Sequence, residues 1–325
     1  MDSVVRIYST GGADVLTLED VERRELAPNE AWIEQEAVGV NFLDVMQRNG
    51  SAPIALPSAL GQEGAGIVRA VGADVSHVVP GDRVAYMLGP IGAYASARAY
   101  PADRLVRLPD AFGLDIAAAA LFKGVTAQYL LKTTYPVTTG SIVLIYGAAG
   151  ALGQLMVPWA KHLGACVIGV VSRRASVERA RAAGCDAVFV WGEGDLPKQV
   201  STFTQGRKAD VVYDGVGRDT FETSLDCLGM RGVLVSIGAS SGPPPLLDVS
   251  RLNSKGSLYV TRPSLAAHAS DINEYRQRVE DVLAAIDREI IKLAVWKSFP
   301  LAEVHRAHEA IESGQAAGAV ILKPR

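Results

Sequence analysis

The chain has 325 residues, enough for about two domains of ordinary size. Hydrophobic residues make up 49% and charged residues 21%, which provides for packed cores and excludes a disordered chain. Lys plus Arg number 32 against 35 Asp plus Glu, so there is no basic excess to neutralise a phosphate backbone and no nucleic-acid partner is expected.

Residues 1–6 carry no basic stretch leading into an apolar core, so no export signal is read there and a cytoplasmic location is expected. From residue 1 to about 124 the pattern is one of short strands broken by glycine and proline, at 31–38, 66–71 and 83–86. The last of these follows Pro80, Gly81 and Asp82, in which proline presets the first turn angle and glycine accepts positive φ. Closely spaced short strands predict a barrel-like β domain. Apolar runs such as 116–122 are far below the ~18 residues of a membrane span, so no membrane partner is expected.

From about 125 to 262 the pattern changes to β-α alternation. Continuous apolar runs at 141–146, 165–171, 187–190, 210–213 and 232–237 read as strands buried on both faces, with 257–261 as a late edge strand. Helix-length segments separate them, which implies right-handed crossovers and a parallel sheet. Cys166, Cys185 and Cys227 form no CxxC pair, so neither a disulfide framework nor a cysteine-based zinc site is supported. From 263 onward one amphipathic helix has Val279, Val282, Leu283, Ile286 and Ile290 at helical spacing. A second helix at 302–313 and a closing strand at 319–322 follow. They are too little for a core of their own, so 263–325 is expected to return to the first domain.

Directly after the strand 141–146 stand Gly147, Ala149, Gly150, Ala151, Leu152 and Gly153, in the spacing G-x-x-G-x-x-G, and they open a helix. Small residues permit a tight turn, and the helix N-terminus presents free N–H donors and partial positive charge to a pyrophosphate. Gln154 and Leu155 stand where a nucleoside-triphosphate loop needs Lys and Ser or Thr. A glycine-rich βα turn also serves packing alone, and that alternative stays open at this point. Pro158, inside the helix, removes a hydrogen bond and is expected to kink it.

The end of the second strand selects the cofactor. An NAD site places a carboxylate there, whereas this chain has Ser172, Arg173 and Arg174 and no acid before Glu178. Two guanidiniums and a hydroxyl suit a 2′-phosphate, which points to NADPH, although a solvated basic loop would have the same composition.

A β domain interrupted by a dinucleotide fold resembles the medium-chain dehydrogenase/reductase superfamily, and more narrowly its zinc-free, zeta-crystallin-like NADPH:quinone oxidoreductases. The likeness is carried by segments at 39–44, 61–66, 121–127, 212–220 and 255–263. It implies an α/β fold in which a Rossmann-type doubly wound parallel sheet (125–262) is inserted into a GroES-like β-barrel catalytic domain (1–124, completed by 263–325). Zinc alcohol dehydrogenases have a cysteine where this chain has Asn41 and a histidine where it has Gln62; neutral amides are poor zinc ligands, so no metal is expected. His305 and His308, one helical turn apart, have no evident acidic or thiol partner and read as exposed helix histidines.

The resemblance implies hydride delivery from NADPH to a quinone by a homodimer. Asn41 would lie beside nicotinamide and substrate, with Asp44 in support and Gln62 in the same active-site segments. Lys123 and Thr126 would approach the cofactor, and Trp191, Gly215, Gly217, Ile237 and Ser240 would line its groove. The strands 257–261 and 232–237 would pair across the dimer axis. Family tyrosines near 46 and 52 are replaced by Met46 and Ala52, so the loop 47–57 is expected to form a more apolar acceptor wall. The family's usual lysine and tyrosine near the adenosine phosphate appear as Ser176 and Trp191. Reduction of an enone or alkenal double bond, and a crystallin-like structural or RNA-binding role, are the alternative readings.

Overall fold

The structure is a computed structural model and describes residues 1–324. The chain divides into two compact units. One holds Met1–Gly124, Asp271–Val282 and the residues from Leu293 onward; the other holds Val125–Ser270 and Leu283–Lys292. Residues 263–270 and 283–292, which the sequence pattern groups with the returning tail, cluster with the second unit, and the division runs through the helix Ile272–Asp287.

In the first unit the strand Glu30–Val40 is the hub. It pairs antiparallel with Glu63–Val71, Ala97–Pro101 and Ala319–Lys323, within a seven-stranded sheet that also includes Val295–Pro300, Arg83–Met87 and Val106–Arg107. A smaller sheet joins Thr17–Val21, Asp2–Ile7 and Ser58–Ala59. The inward-facing side chains Val5, Ile7, Ile33, Val38, Val68, Tyr86, Phe299 and Leu322 form one core with the helix face Val304, Ala307 and Ala310. Each large apolar side chain so buried contributes about 1.5–3 kcal/mol, far more than a two-residue strand ladder can supply, so this core holds the short strands in place.

The second unit is a six-stranded, wholly parallel sheet. Its spatial order is Ala187–Val190, Cys166–Val171, Ile142–Tyr146, Ala209–Asp214, Leu228–Ser236 and Tyr259–Thr261. The chain winds outward from Ile142–Tyr146 in one direction, then returns to its other side and winds the opposite way. Strand order therefore reverses between Ile142–Tyr146 and Ala209–Asp214, and in open parallel sheets such a reversal opens a crevice at the carboxyl ends of the strands. The strand Ile142–Tyr146 is buried throughout, as its unbroken apolar sequence requires.

The helix Leu114–Tyr129 continues into a π-helical turn, Leu130–Thr134. Among the described residues this run alone is long and apolar enough to cross a membrane, and 67% of its most apolar window is buried inside the protein. Its apolar run 116–122 is by itself too short to suggest a span; the helix is longer because Gly124 and Thr126 do not interrupt it.

Candidate active site and dinucleotide cradle

The helix Phe42–Asn49 starts on Asn41, whose backbone is extended, and carries Asp44 at its third position. The Asn41 amide donates to Asp44 Oδ2 at 2.8 Å, so the carboxylate satisfies a donor that the helix start leaves free. Asn41 is thereby fixed at the carboxyl end of the long strand Glu30–Val40, facing Glu63 on the neighbouring strand.

Three side chains meet there. Asn41 Nδ2 donates to Glu63 Oε1 at 2.9 Å, and Lys123 Nζ donates to Asn41 Oδ1 at 2.7 Å and to Glu63 Oε1 at 3.4 Å. The Phe122 amide donates to Glu63 Oε2 at 2.8 Å. An ammonium accepts nothing and a carboxylate donates nothing, so these neighbours fix which end of the Asn41 amide is which. Glu63 is completely buried, and its charge is offset by the ammonium and by two N–H donors. Gly39 makes room for it: a Cβ there would stand 2.4 Å from Glu63 Oε1.

Asn41, Asp44 and Lys123 are thus brought together. Gln62, one residue before Glu63, instead donates to Gln47 Oε1 at 3.0 Å. Glu63 is the member of this cluster that the sequence reading missed, although it stands inside the segment 61–66. Met46 lies on the helix and Ala52 just past it, with the Ala52 amide bonded to the Met46 carbonyl at 2.9 Å; the expected loop 47–57 therefore begins only after Asn49.

Behind Asp44 lies a second buried group. Tyr94 Oη donates to Asp44 Oδ2 at 3.0 Å and lies 3.0 Å from His308 Nε2. His308 is wholly buried, which corrects the expectation of an exposed helix histidine; its helix Val304–Glu312 turns this residue inward with Val304, Ala307 and Ala310. Burial pushes the Asp44 carboxyl up to about 7, against the pull of the Asn41 and Tyr94 donors. Burial, with the neighbouring Arg48, pushes His308 down to about 3. Arg48 itself is held by Glu312 through two contacts of 2.9 and 2.6 Å. Among the described residues no group of three or more His, Cys, Asp or Glu side chains is arranged to hold a metal ion.

In the second unit the expected cofactor residues gather at the carboxyl ends of the parallel strands. Gly147 follows Tyr146, Ser172 follows Val171, Trp191 follows Val190, Gly215 follows Asp214 and Ile237 follows Ser236. Gly147 turns the chain at φ +66, and a Cβ on Gly153 would lie 2.4 Å from the Gly147 carbonyl oxygen, so only glycine lets turn and helix close on each other. Among the described residues the amides of Ala149, Ala151, Leu152 and Gly153 have no acceptor within the chain, while Gly150 donates to the Gly147 carbonyl. That is a cradle of free donors at a helix start, fitted to an anionic diphosphate. The helix Gly153–His162 runs on past Pro158, so the proline does not end it; the bond a residue-158 amide would give to the Gln154 carbonyl is absent.

Asp214 anchors the next turn, accepting from the Val216 and Gly217 amides, from Thr220 and from Ser224. Ser240 follows on that edge, its amide donating to the Gly215 carbonyl at 3.3 Å. Ser172, Arg173 and Arg174 are exposed, and Arg174 pairs with Glu193 at 2.7 Å. Glu193 stands beyond the adjacent strand Ala187–Val190, outside the loop after Val171 that holds no acid before Glu178. Trp191 meets Tyr146 edge to face, with ring centroids 5.9 Å apart. Thr126 is half-buried on the helix that carries Lys123.

Residues 27–110 match the alcohol dehydrogenase GroES-like domain, and residues 151–284 match the zinc-binding dehydrogenase family. Across 98% of its length the chain is 40% identical to a quinone oxidoreductase of Pseudomonas aeruginosa, of which it covers 99%. The chain belongs to the quinone oxidoreductase family. The crystal structure of Escherichia coli quinone oxidoreductase complexed with NADPH matches 99% of this chain and all of that one, at 40% identity and a TM-score of 0.95. A 2-haloacrylate reductase of Burkholderia sp is 39% identical over 98% of both chains. The implied fold, a GroES-like domain with a Rossmann-type sheet, is the fold of this medium-chain dehydrogenase/reductase.

Proposed function

We propose that this protein is an NADPH-dependent quinone reductase that works without a metal ion. The observation carrying this reading is the full-length match, at a TM-score of 0.95, to a quinone oxidoreductase complexed with NADPH. When bound, NADPH supplies a hydride from its nicotinamide. The free amides of Ala149, Ala151, Leu152 and Gly153 receive the diphosphate, and Ser172, Arg173 and Arg174 receive the 2′-phosphate. Thr126, Gly215, Gly217, Ile237, Ser240 and Trp191 are assigned to the remaining contacts of the dinucleotide. A quinone needs little activation because its developing negative charge is delocalised, and the Lys123 ammonium and Asn41 amide are the donors assigned to its oxygen. The donor set supports metal-free chemistry, since Asn41 and Gln62 offer amides where zinc would take thiolate or imidazole.

A second reading, reduction of an activated C=C bond, is favoured by one observation: a 2-haloacrylate reductase is nearly as similar as the quinone oxidoreductases. Steady-state kcat/KM with NADPH against a panel of para- and ortho-quinones, enones and 2-haloacrylates separates the two. Quinones are expected to lead; turnover confined to the C=C substrates would overturn the first reading.

The cytoplasm is the proposed location, in keeping with three free thiols at Cys166, Cys185 and Cys227. A homodimer is proposed through the edge of the parallel sheet. Tyr259–Thr261 is one edge of that sheet, with Ala187–Val190 at the other, and Leu228–Ser236 is an interior strand, so the expected pairing of both strands across an axis narrows to one.

A further inference from the structure

The buried polar atoms of the first unit that have no hydrogen-bond partner among the described residues include Asp44 Oδ1 and His308 Nδ1. These two are the ends of one hydrogen-bonded chain, Asp44–Tyr94–His308, whose three side chains are all fully buried. Leaving a polar atom buried and unpaired is costly, and two such atoms at the ends of one chain need a physical reason. We propose that Tyr94 and His308 are positioning residues: with Asp44 they form a proton chain whose charge state sets how firmly Asn41 is held. The activity arm of this proposal rests on the quinone-reductase reading; its titration arm does not.

Proton counting gives the two states of the chain. With Asp44 ionised, Tyr94 must donate to Asp44 Oδ2, so His308 Nε2–H must donate to Tyr94 and Nδ1 is bare. In the other state one proton has been added at Nδ1, the Nε2 proton has moved to Tyr94 Oη, and the Tyr94 proton has moved to Asp44 Oδ2. The chain then holds one proton more, both hydrogen bonds run the opposite way, and the imidazole is neutral in both states. A histidine at this place serves both states because its two nitrogens exchange donor and acceptor roles.

The surroundings favour this exchange. Asp44 is faced by Tyr94, by Glu63 from the strand Glu63–Val71 and by Lys123 from the helix Leu114–Tyr129. Tyr94 is faced by Asp44, Glu63 and Arg48, and its own ionisation is pushed well out of range. Arg48, on the helix Phe42–Asn49, keeps His308 from becoming cationic, and Glu312 on the histidine's own helix holds Arg48. The readable consequence is at Asn41. An ionised Asp44 holds the Asn41 backbone N–H by a charge-assisted bond; protonation on the same oxygen weakens it. Asn41 in turn bridges Lys123 and Glu63.

The test is a carboxyl titration of the full-length protein by 13C NMR with labelled aspartate, Asp44 being assigned by its loss in Asp44→Asn. The wild-type midpoint is expected near neutrality. Tyr94→Phe removes a donor to the carboxylate and should raise the midpoint by about one pH unit. His308→Leu should lower it by about as much, because protonated Asp44 would then leave the Tyr94 hydrogen buried without an acceptor. His308→Gln can both donate and accept, so it should restore the wild-type midpoint. Loss of packing alone does not move two midpoints in opposite directions. Shifts in the same direction, or no shift in Tyr94→Phe, overturn the chain; should His308→Leu not fold, Tyr94→Phe decides alone. The pH profile of kcat for a para-quinone is expected to follow each midpoint. If the midpoints move and the profile does not, the positioning role is refuted. A wild type inactive on quinones counts against the functional reading alone.

Discussion

A buried acid and a buried base with opposite shifts make stability depend on pH in opposite directions. His308, pushed down to about 3, binds fewer protons folded than unfolded, so its contribution is present above its ordinary value near 6.5 and is lost as pH falls. Asp44, pushed up to about 7, contributes stability below its ordinary value, and that contribution is lost as pH rises toward neutrality. Between about pH 4 and 6.5 the two slopes oppose. His308→Gln removes one of them, so relative to this variant the wild type should lose up to about 1.4 kcal/mol per pH unit on acidification from pH 6 to 4.5. Urea unfolding at closely spaced pH values checks it; parallel curves would refute the buried-base account. A second residue-scale expectation concerns Arg174, whose exposed guanidinium is engaged by Glu193. A 2′-phosphate must compete with that carboxylate, so Glu193→Gln should lower KM for NADPH a few-fold and leave KM for NADH unchanged. Arg173→Ala with Arg174→Ala should abolish any NADPH preference, and a preference that survives removes these arginines from the phosphate site. Asn41, Asp44 and Lys123 were legible in the sequence because each stands in a short recognisable segment. Tyr94 and His308 were not, being 50 and 214 residues from the partners they bond. Nothing local marks a histidine on an amphipathic helix as buried; that depends on which face the helix turns to the core.

Elements were easiest to read where burial is two-sided. The strands Ile142–Tyr146 and Cys166–Val171 carry unbroken β-branched and apolar runs because helices cover the sheet, and their limits fall within a residue or so of the sequence reading. Asp2–Ile7 and Val295–Pro300 escaped it. The first mixes Asp, Ser and Arg into a largely buried strand, and the second includes Lys297 and Ser298 and ends in proline, so neither shows a clean period of two. Ile290 continued the apolar spacing of the helix Ile272–Asp287 yet lies beyond its end, since apolar spacing cannot mark where a helix stops. The glycine turn is the element whose chemistry and geometry agree most closely. A Cβ at Gly153 would meet the Gly147 and Ala148 carbonyls at 2.4 and 2.6 Å, both backbone atoms that cannot swing aside. At Gly150 it would meet only the Gly147 oxygen, at 3.1 Å. Gly153→Ala should therefore cost about 1–3 kcal/mol and weaken NADPH binding at least ten-fold, whereas Gly150→Ala should be the milder of the two in both respects. Thermal melts with and without NADPH, and a fluorescence titration of binding, rank them; the reverse order would show that the turn does not close as described.

For the molecule as a whole, the near balance of charge turns attention from polyanions to apolar surface. Several large apolar side chains of the parallel-sheet unit are exposed, among them Met230 at 85%, Val249 at 73% and Tyr259 at 59%. Tyr259 belongs to the three-residue edge strand, and Met230 to the part of Leu228–Ser236 that extends beyond the ladder it makes with that edge. An edge strand has backbone groups on its outer side that no neighbour in the sheet can satisfy. Leaving it bare among apolar side chains would invite indiscriminate pairing, which natural proteins prevent with charge, proline or a cover. None of the residues Tyr259, Val260 and Thr261 is charged or proline. In the proposed homodimer a second copy of the chain, applied about a two-fold axis, would cover the edge by extending the sheet and would place like side chains against each other. Sedimentation velocity at micromolar concentration should then report twice the mass of the chain. Tyr259→Glu combined with Met230→Glu should shift the protein to monomer, because burying two pairs of facing carboxylates costs more than the apolar contact returns. Melting of the charged variant at the wild-type temperature, together with an unchanged sedimentation coefficient, would mean that this edge is solvated in solution and that copies associate elsewhere or not at all.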